Sequence, residues 1–164
     1  MEALDISAIN MHSPYQVWRV SDTDYFFKTD NNAVYKICFL PDDSIWLDDA
    51  YQFVIINEDN KPSPNDSKLK TAILLILESF FETNRGILLY ICETGDGKQA
   101  MRNRLFIRWF TQYPLRHLYY LDTVEIAADG IDNFAAIIVR TDNPRLSEIA
   151  EQFKLITSTL KEKP

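Results

Sequence analysis

The segment from Ile87 to Cys92, ILLYIC, is apolar or aromatic at every position. A strand that is apolar on both of its faces is typical of the centre of a sheet with other elements packed on each side. A short turn with Gly95 and Gly97 follows, and then a predicted helix over Lys98–Gln112. Many α/β proteins place a site at a strand, turn and helix in this order. The sequence therefore directs attention to Ile87–Phe110.

The other elements follow from apolar spacing and turn residues. Further strands are predicted at Tyr25–Thr29, Val34–Leu40, Tyr51–Ile56, Leu118–Ala127 and Asn133–Arg140. A first helix is predicted to begin at a Ser63 cap and to end at Asn84-Arg85-Gly86, and a last helix to begin at an Asn143 cap. We expect a single α/β (α+β) domain over residues 1–164, with a poorly ordered lead-in at 1–16. Its mixed, mostly antiparallel sheet of about six strands and its three helices follow the order β-β-β-α-β-α-β-β-α.

Charge is distributed unevenly along the chain. Residues 1–66 hold 12 acidic and 4 basic residues, whereas residues 67–164 hold 12 and 13, for a formal net charge of −7. An acidic protein of this kind disfavours nucleic-acid binding. No acid lies between Asp96 and Asp122, where five basic residues occur: Lys98, Arg102, Arg104, Arg108 and Arg116. The sequence therefore predicts a local basic patch on an acidic protein.

Arg102 has two interpretations. On a helical wheel it falls inside an apolar arc, beside Trp109, and an arginine there is costly unless it is paired or stacked. The arc comprises Met101, Leu105, Phe106 and Trp109. Arg102 could be a structural residue that stacks on Trp109 or pairs with Glu93 or with an acid of a strand. It could instead line a pocket that binds a carboxylate, a phosphate or an acidic group of a partner. Arg104 and Arg108 lie one turn apart at the edge of the arc, either solvated or docked on the acidic first part of the chain.

No catalytic, metal or cofactor signature is found. The turn Glu93–Lys98 lacks the spacing of a P-loop and the third glycine of a dinucleotide fingerprint. The two histidines, His12 and His117, form no recognisable catalytic set, and the paired aspartates lack the pattern of a cation-binding loop. Cys38 and Cys92 are expected to be buried free thiols. With neither a signal peptide nor a spanning segment expected, we predict a cytoplasmic protein.

The element order β-β-β-α-β-α-β-β, from Tyr25 to Arg140, resembles the main body of the N-acetyltransferase superfamily. The resemblance implies that the helix after the third strand receives the pyrophosphate of coenzyme A. Two departures oppose this use. The preceding loop, 57–66, has no glycine and contains two prolines, and the tyrosine that often serves as general acid would fall on Leu105 or Phe106. Separately, ILLYIC followed by RNRLFIRWF resembles a small uncharacterised family of Bacteroidetes.

The sequence thus favours a non-catalytic binding protein whose basic helix holds an acidic protein or a small anionic ligand. Its candidate residues are Lys98, Arg102, Arg104, Arg108, Trp109 and Arg116, with Glu93 beside them. A divergent acyltransferase that uses coenzyme A is the first alternative. An accessory protein of a toxin–antitoxin or phage-defence locus is the second, and no residue bears on it. Association with a second copy of the chain stays open.

Overall fold

The computed structural model describes the chain except residues 43–48, 60, 62–65, 93–98, 129–130 and 163–164. Side chains are not described at 91–92, 99–103, 126–128, 131–133 and 159–162 either. The described helices are α1 (Ile6–His12), α2 (Ser67–Thr83), α3 (Gln99–Thr111) and α4 (Leu146–Glu162). The described strands are β1 (Trp18–Arg19), β2 (Asp24–Lys28), β3 (Val34–Pro41), β4 (Ala50–Asn57), β5 (Ile87–Cys92), β6 (Tyr119–Ala128) and β7 (Ile131–Arg140).

The seven strands are hydrogen bonded in the order β1-β2-β3-β4-β5-β7-β6. The pairs β1/β2, β2/β3, β5/β7 and β6/β7 are antiparallel. The predicted α+β class and the mostly antiparallel sheet are confirmed. The described residues contain one strand and one helix more than the predicted six and three, namely the two-residue β1 and the helix α1.

The residues form two compact units. Unit 1 comprises residues 1–41 and 53–85, and unit 2 comprises residues 42–52 and 86–164, so β4 contributes to both. The expectation of a single domain over residues 1–164 stays a prediction.

In unit 1 the odd-numbered residues of β2 and β3 form the core. Tyr25, Phe27, Ile37 and Phe39 are fully buried. Phe39 stacks on Phe80 of α2 with ring centroids 5.0 Å apart. Because side chains alternate between the two faces of a strand, this helix covers the odd-numbered face.

The structure describes the helix α1 within residues 1–16, which the sequence predicted to be a poorly ordered lead-in. Asp5 caps α1 by accepting a hydrogen bond from the Ala8 amide, and Leu4 and Ile9 are buried. The Leu4 amide donates to the hydroxyl of Tyr25 at 2.8 Å. Burial of these apolar side chains offsets the entropy cost of ordering the terminus.

The predicted start of α2 was wrong, and its predicted end is confirmed. Its N-cap is Asp66, not Ser63 as predicted, and the helix begins at Ser67. Ser63 and Pro64 lie outside the described residues. The predicted end is confirmed, since Asn84 is the C-cap.

In unit 2 helices cover both faces of the β5, β7 and β6 strands. Ile87 and Leu89 lie on one face and pack with Ile149 and Phe153 of α4. Tyr90 points to the opposite face, where it meets α3. β5 is therefore buried on both sides over its described side chains, which confirms the prediction made from ILLYIC.

Candidate functional site

Two phenylalanines fix α3 on the sheet. Phe106 stacks on Tyr90 of β5 with ring centroids 4.2 Å apart, and Phe110 meets Tyr119 of β6 edge-on at 5.7 Å. Both phenylalanines are 2% exposed. Such burial with ring contacts gives the helix a fixed orientation on the strands.

The buried face of α3 overlaps the predicted arc only in part. Phe106, a member of the predicted arc, is buried together with Phe110, which the arc did not include, whereas its members Leu105 and Trp109 are half-buried. Phe106 and Phe110 lie four residues apart on one side of the helix, and they contact the rings of Tyr90 and Tyr119.

The opposite side of α3 carries two of the predicted arginines. Arg104 and Arg108 are both exposed. At a separation of four residues on a helix their Cβ atoms lie about 6 Å apart, so the two guanidinium groups can act on the same ligand. Arg108 also lies in the last turn, where the helix dipole favours positive charge.

Arg116 lies just beyond the helix and has a structural role. One terminal nitrogen of its guanidinium donates a 2.7 Å hydrogen bond to the carbonyl of Thr111, the last residue of α3. This bond satisfies one of the carbonyls left unpaired at a helix end. Arg116 is nevertheless exposed, and a guanidinium has five N–H donors, of which this contact uses one. We call Arg104, Arg108 and Arg116 the arginine surface.

The arginine surface differs in its pairing from Arg140 and Arg145, the other arginines of unit 2 whose side chains are described. Arg140 bonds Asp142 at 3.0 Å and lies over the ring of Tyr119, and Arg145 bonds Glu148 at 3.3 Å. Among the described residues, no ion pair involves any member of the arginine surface. Exposed cations with no described carboxylate can pair with anions from outside the chain.

Several predicted site residues cannot be placed. Glu93 and Lys98, with the turn between them, lie outside the described residues, and so does the side chain of Arg102. The predicted pairing or stacking of Arg102 therefore stays a prediction. Trp109 is described and half-buried.

A second polar cluster surrounds the N-terminus of α2. The carboxylate of Asp66 accepts hydrogen bonds from the hydroxyl of Tyr15 and from the amide of Lys68. The ammonium of Lys68 donates to Asp30 at 2.9 Å and lies over the ring of Tyr15. Helix N-terminal amides are an anion-binding position, and here the chain's own Asp66 occupies it.

The contacts of this cluster shift the pKa values of Tyr15 and Asp66. Burial raises the pKa of Tyr15 to about 12, and the hydrogen bond to Asp66 adds to the effect. Burial also acts to raise the pKa of Asp66, but the Tyr15 hydroxyl, two backbone amides and the Lys68 charge outweigh it and lower the pKa. The sequence analysis did not identify the Tyr15–Asp66 contact, because the two residues are 51 positions apart and no local pattern indicates it.

Other chemistry is sparse in the described part of the chain. No group of three or more His, Cys, Asp or Glu residues there could hold a metal ion. His12 lies in the last turn of α1, and His117 is exposed in the 3-10 turn Arg116–Leu118. Cys38 is a buried free thiol, as predicted, and burial raises its pKa to about 11. No helix over the described residues has the length and apolar character needed to cross a membrane.

Fold and site together define an α+β protein with an exposed arginine surface on a helix that aromatic rings hold in place. The chain belongs to a family of unknown function, DUF6169, whose sequence model matches residues 65–155, more than half of its length. This region contains α2, α3 and the three strands β5 to β7. No curated protein and no solved structure matches the chain.

Proposed function

We propose that the protein is a non-catalytic binding module of the bacterial cytoplasm whose arginine surface holds an acidic protein or a small anionic ligand. One observation carries the proposal: Arg104 and Arg108 are exposed on one side of α3 and have no described carboxylate partner. A helix side that only faces water would tolerate acidic residues among its basic ones. Here the sequence excludes acids over 97–121.

The rigidity of α3 adds to the proposal. Because Phe106 and Phe110 are held by rings of the sheet, the backbone positions of the two arginines are set before a ligand arrives. Preorganised groups lose less entropy on binding, and guanidinium groups recognise carboxylates through two parallel hydrogen bonds. An acidic group of a partner is thus a fitting ligand.

Nucleic acid is a poorer fit. Affinity for nucleic acid rises with the number of phosphates that cations neutralise. The arginine surface has three cations on a chain of net charge −7, so a long polyanion would meet repulsion beyond it.

The proposal is tested by charge reversal. Arg104→Glu combined with Arg108→Glu should abolish recovery of the partner in co-purification from the source cell. The matched control is Arg85→Glu with Lys154→Glu, which changes the net charge equally at two exposed cations outside α3. Equal recovery with both double variants would exclude the arginine surface as the binding site.

A divergent acyltransferase is the second candidate, and the order of elements favours it. From Asp24 to Arg140 the elements follow β-β-β-α-β-α-β-β, the order that resembles the N-acetyltransferase superfamily. We also propose a Bacteroidetes origin for the chain, from the resemblance of its ILLYIC and RNRLFIRWF motifs.

Two residues weigh against coenzyme A. Asp66 bonds the amides at the start of α2 and carries a negative charge where a pyrophosphate would need to lie. Phe106, at a position that the resemblance gives to a tyrosine, is buried against Tyr90 and has no hydroxyl. Acetyl-coenzyme A should therefore produce no thermal shift and no thiol release. A shift together with thiol release would establish the acyltransferase instead.

A further inference from the structure

The arginine surface is arranged along the axis of α3. An α-helix rises about 1.5 Å and turns about 100° with each residue. Arg108 and Thr111 therefore lie on the same side of α3 as Arg104, within about 40° of it, and Thr111 lies about 10 Å beyond Arg104 along the axis. All three residues are exposed. They form a stripe on the helix rather than a single point.

Arg116 extends this stripe to the C-terminal end of α3. The 2.7 Å hydrogen bond from its guanidinium to the Thr111 carbonyl holds this charge beside the last residue of the helix. Arg104 and Arg116 therefore mark the two ends of the stripe, and Arg108 lies between them. In the part of the chain that the structure describes, no carboxylate pairs with any of the three.

One exposed apolar side chain adjoins the C-terminal end of the stripe. Leu115 is 37% exposed and directly precedes Arg116. Its carbonyl accepts a 3.0 Å hydrogen bond from the Leu118 amide, and the Arg116 amide donates to the Tyr113 carbonyl at 3.1 Å. These bonds fix the backbone on both sides of the leucine. A partner that covers Arg116 can therefore bury apolar area on Leu115 as well.

The strength of exposed ion pairs decides which ligand fits the stripe. One such pair raises affinity by about fivefold at most, because water already solvates both charges. A small anion carries its charges on one short carbon chain and reaches two neighbouring guanidinium groups. In an extended polypeptide, side chains at alternate positions lie about 7 Å apart on one face, so three of them span about 13 Å. An acidic segment of a protein can thus engage the whole stripe, and a small anion cannot.

We infer that the ligand of the arginine surface is an acidic segment of a protein, which engages Arg104, Arg108 and Arg116 together and places an apolar side chain on Leu115. This inference rests on the proposed function and narrows it, since that function leaves a small anion open. Opposite charges along the stripe supply specificity and fast association, and the contact with Leu115 adds apolar burial.

The test compares two probes of equal formal charge in NMR titrations of the labelled full chain. One is citrate, and the other is a capped peptide with glutamates at three alternate positions and a leucine at each end. The peptide should bind at least about fivefold more tightly than citrate, the equivalent of one further ion pair. The same peptide with glutamine in place of each glutamate should not bind.

Variants at the two ends of the stripe show whether one ligand bridges it. Arg104→Gln and Arg116→Gln should each weaken peptide binding about fivefold, whereas at most one of them should weaken citrate binding. Leu115→Ala should weaken peptide binding about fourfold, the equivalent of one buried methylene group, and leave citrate binding unchanged. Arg85→Gln, at an exposed position outside α3, is the matched control and should change neither.

The outcomes separate this inference from the proposed function. Equal affinities for citrate and the peptide, or peptide binding that Arg104→Gln or Leu115→Ala leaves unchanged, would overturn the inference and leave the proposed function standing. Binding of neither probe would overturn both. A polyphosphate chain that binds more tightly than the peptide, and equally well to the Leu115→Ala variant, would contradict the assignment to a protein.

Discussion

Replacing Asp66 with alanine tests the cluster at the start of α2. The substitution removes the N-cap of the helix, which costs about 1 kcal/mol. It also leaves the hydroxyl of Tyr15, whose ring is 5% exposed, without the carboxylate that it now bonds, at a further cost of about 1 kcal/mol. We expect a total loss of about 2 kcal/mol of unfolding free energy, or about 4–8 °C in Tm for a chain of this length.

A double-mutant cycle separates the two contributions. Tyr15→Phe removes only the hydroxyl. The double variant should therefore lose about 1 kcal/mol less unfolding free energy than the sum of the losses in Tyr15→Phe and Asp66→Ala. Asp66→Asn is the matched control, because asparagine caps helices about as well as aspartate and should retain most of the stability. Unfolding free energies come from urea denaturation followed by circular dichroism. Strictly additive losses, or equal losses for the asparagine and alanine variants, would refute this reasoning.

Three further predictions concern the core, pH and the thiol. Phe106→Ala should cost about 3–5 kcal/mol in urea denaturation, whereas Ile107→Ala, at a half-buried position, should cost clearly less. Folding lowers the pKa of Asp66, so the stability that the Asp66 carboxylate contributes to the fold should be fully present at pH values above 3.8, the ordinary pKa of aspartate. The Tm difference from Asp66→Ala should therefore shrink as pH falls further below that value. In a Cys92→Ala background, Cys38 should resist alkylation at pH 8 until the chain unfolds, as followed by mass spectrometry.

The sequence predicted the elements that have strong local patterns. Apolar runs such as Ile87–Cys92 and the helical spacing of α2 and α4 gave positions close to those observed. Helix α1 was missed because it is short and is stabilised by distant contacts, among them the bond from the Leu4 amide to Tyr25. No local pattern records such partners.

The site was predicted only in part for the same reason. Clustering of arginines without acids is visible in sequence, and the exposure of Arg104 and Arg108 agrees with it. The orientation of α3 depends on rings from β5 and β6, so a helical wheel alone did not indicate that Phe110 is buried while Leu105 and Trp109 are half-buried. The Tyr15–Asp66 contact also requires the fold.

The most direct measurement of the central claim is an NMR titration of the labelled full chain with an acidic probe. Poly-glutamate and citrate represent an acidic protein segment and a small anion. The arginine surface predicts saturable shifts of the Arg104, Arg108 and Arg116 side-chain signals that weaken with added salt. The same titration of the Arg104→Glu, Arg108→Glu variant should show none. Shifts that persist in that variant, or that appear only outside residues 99–118 of the wild-type chain, would contradict the account.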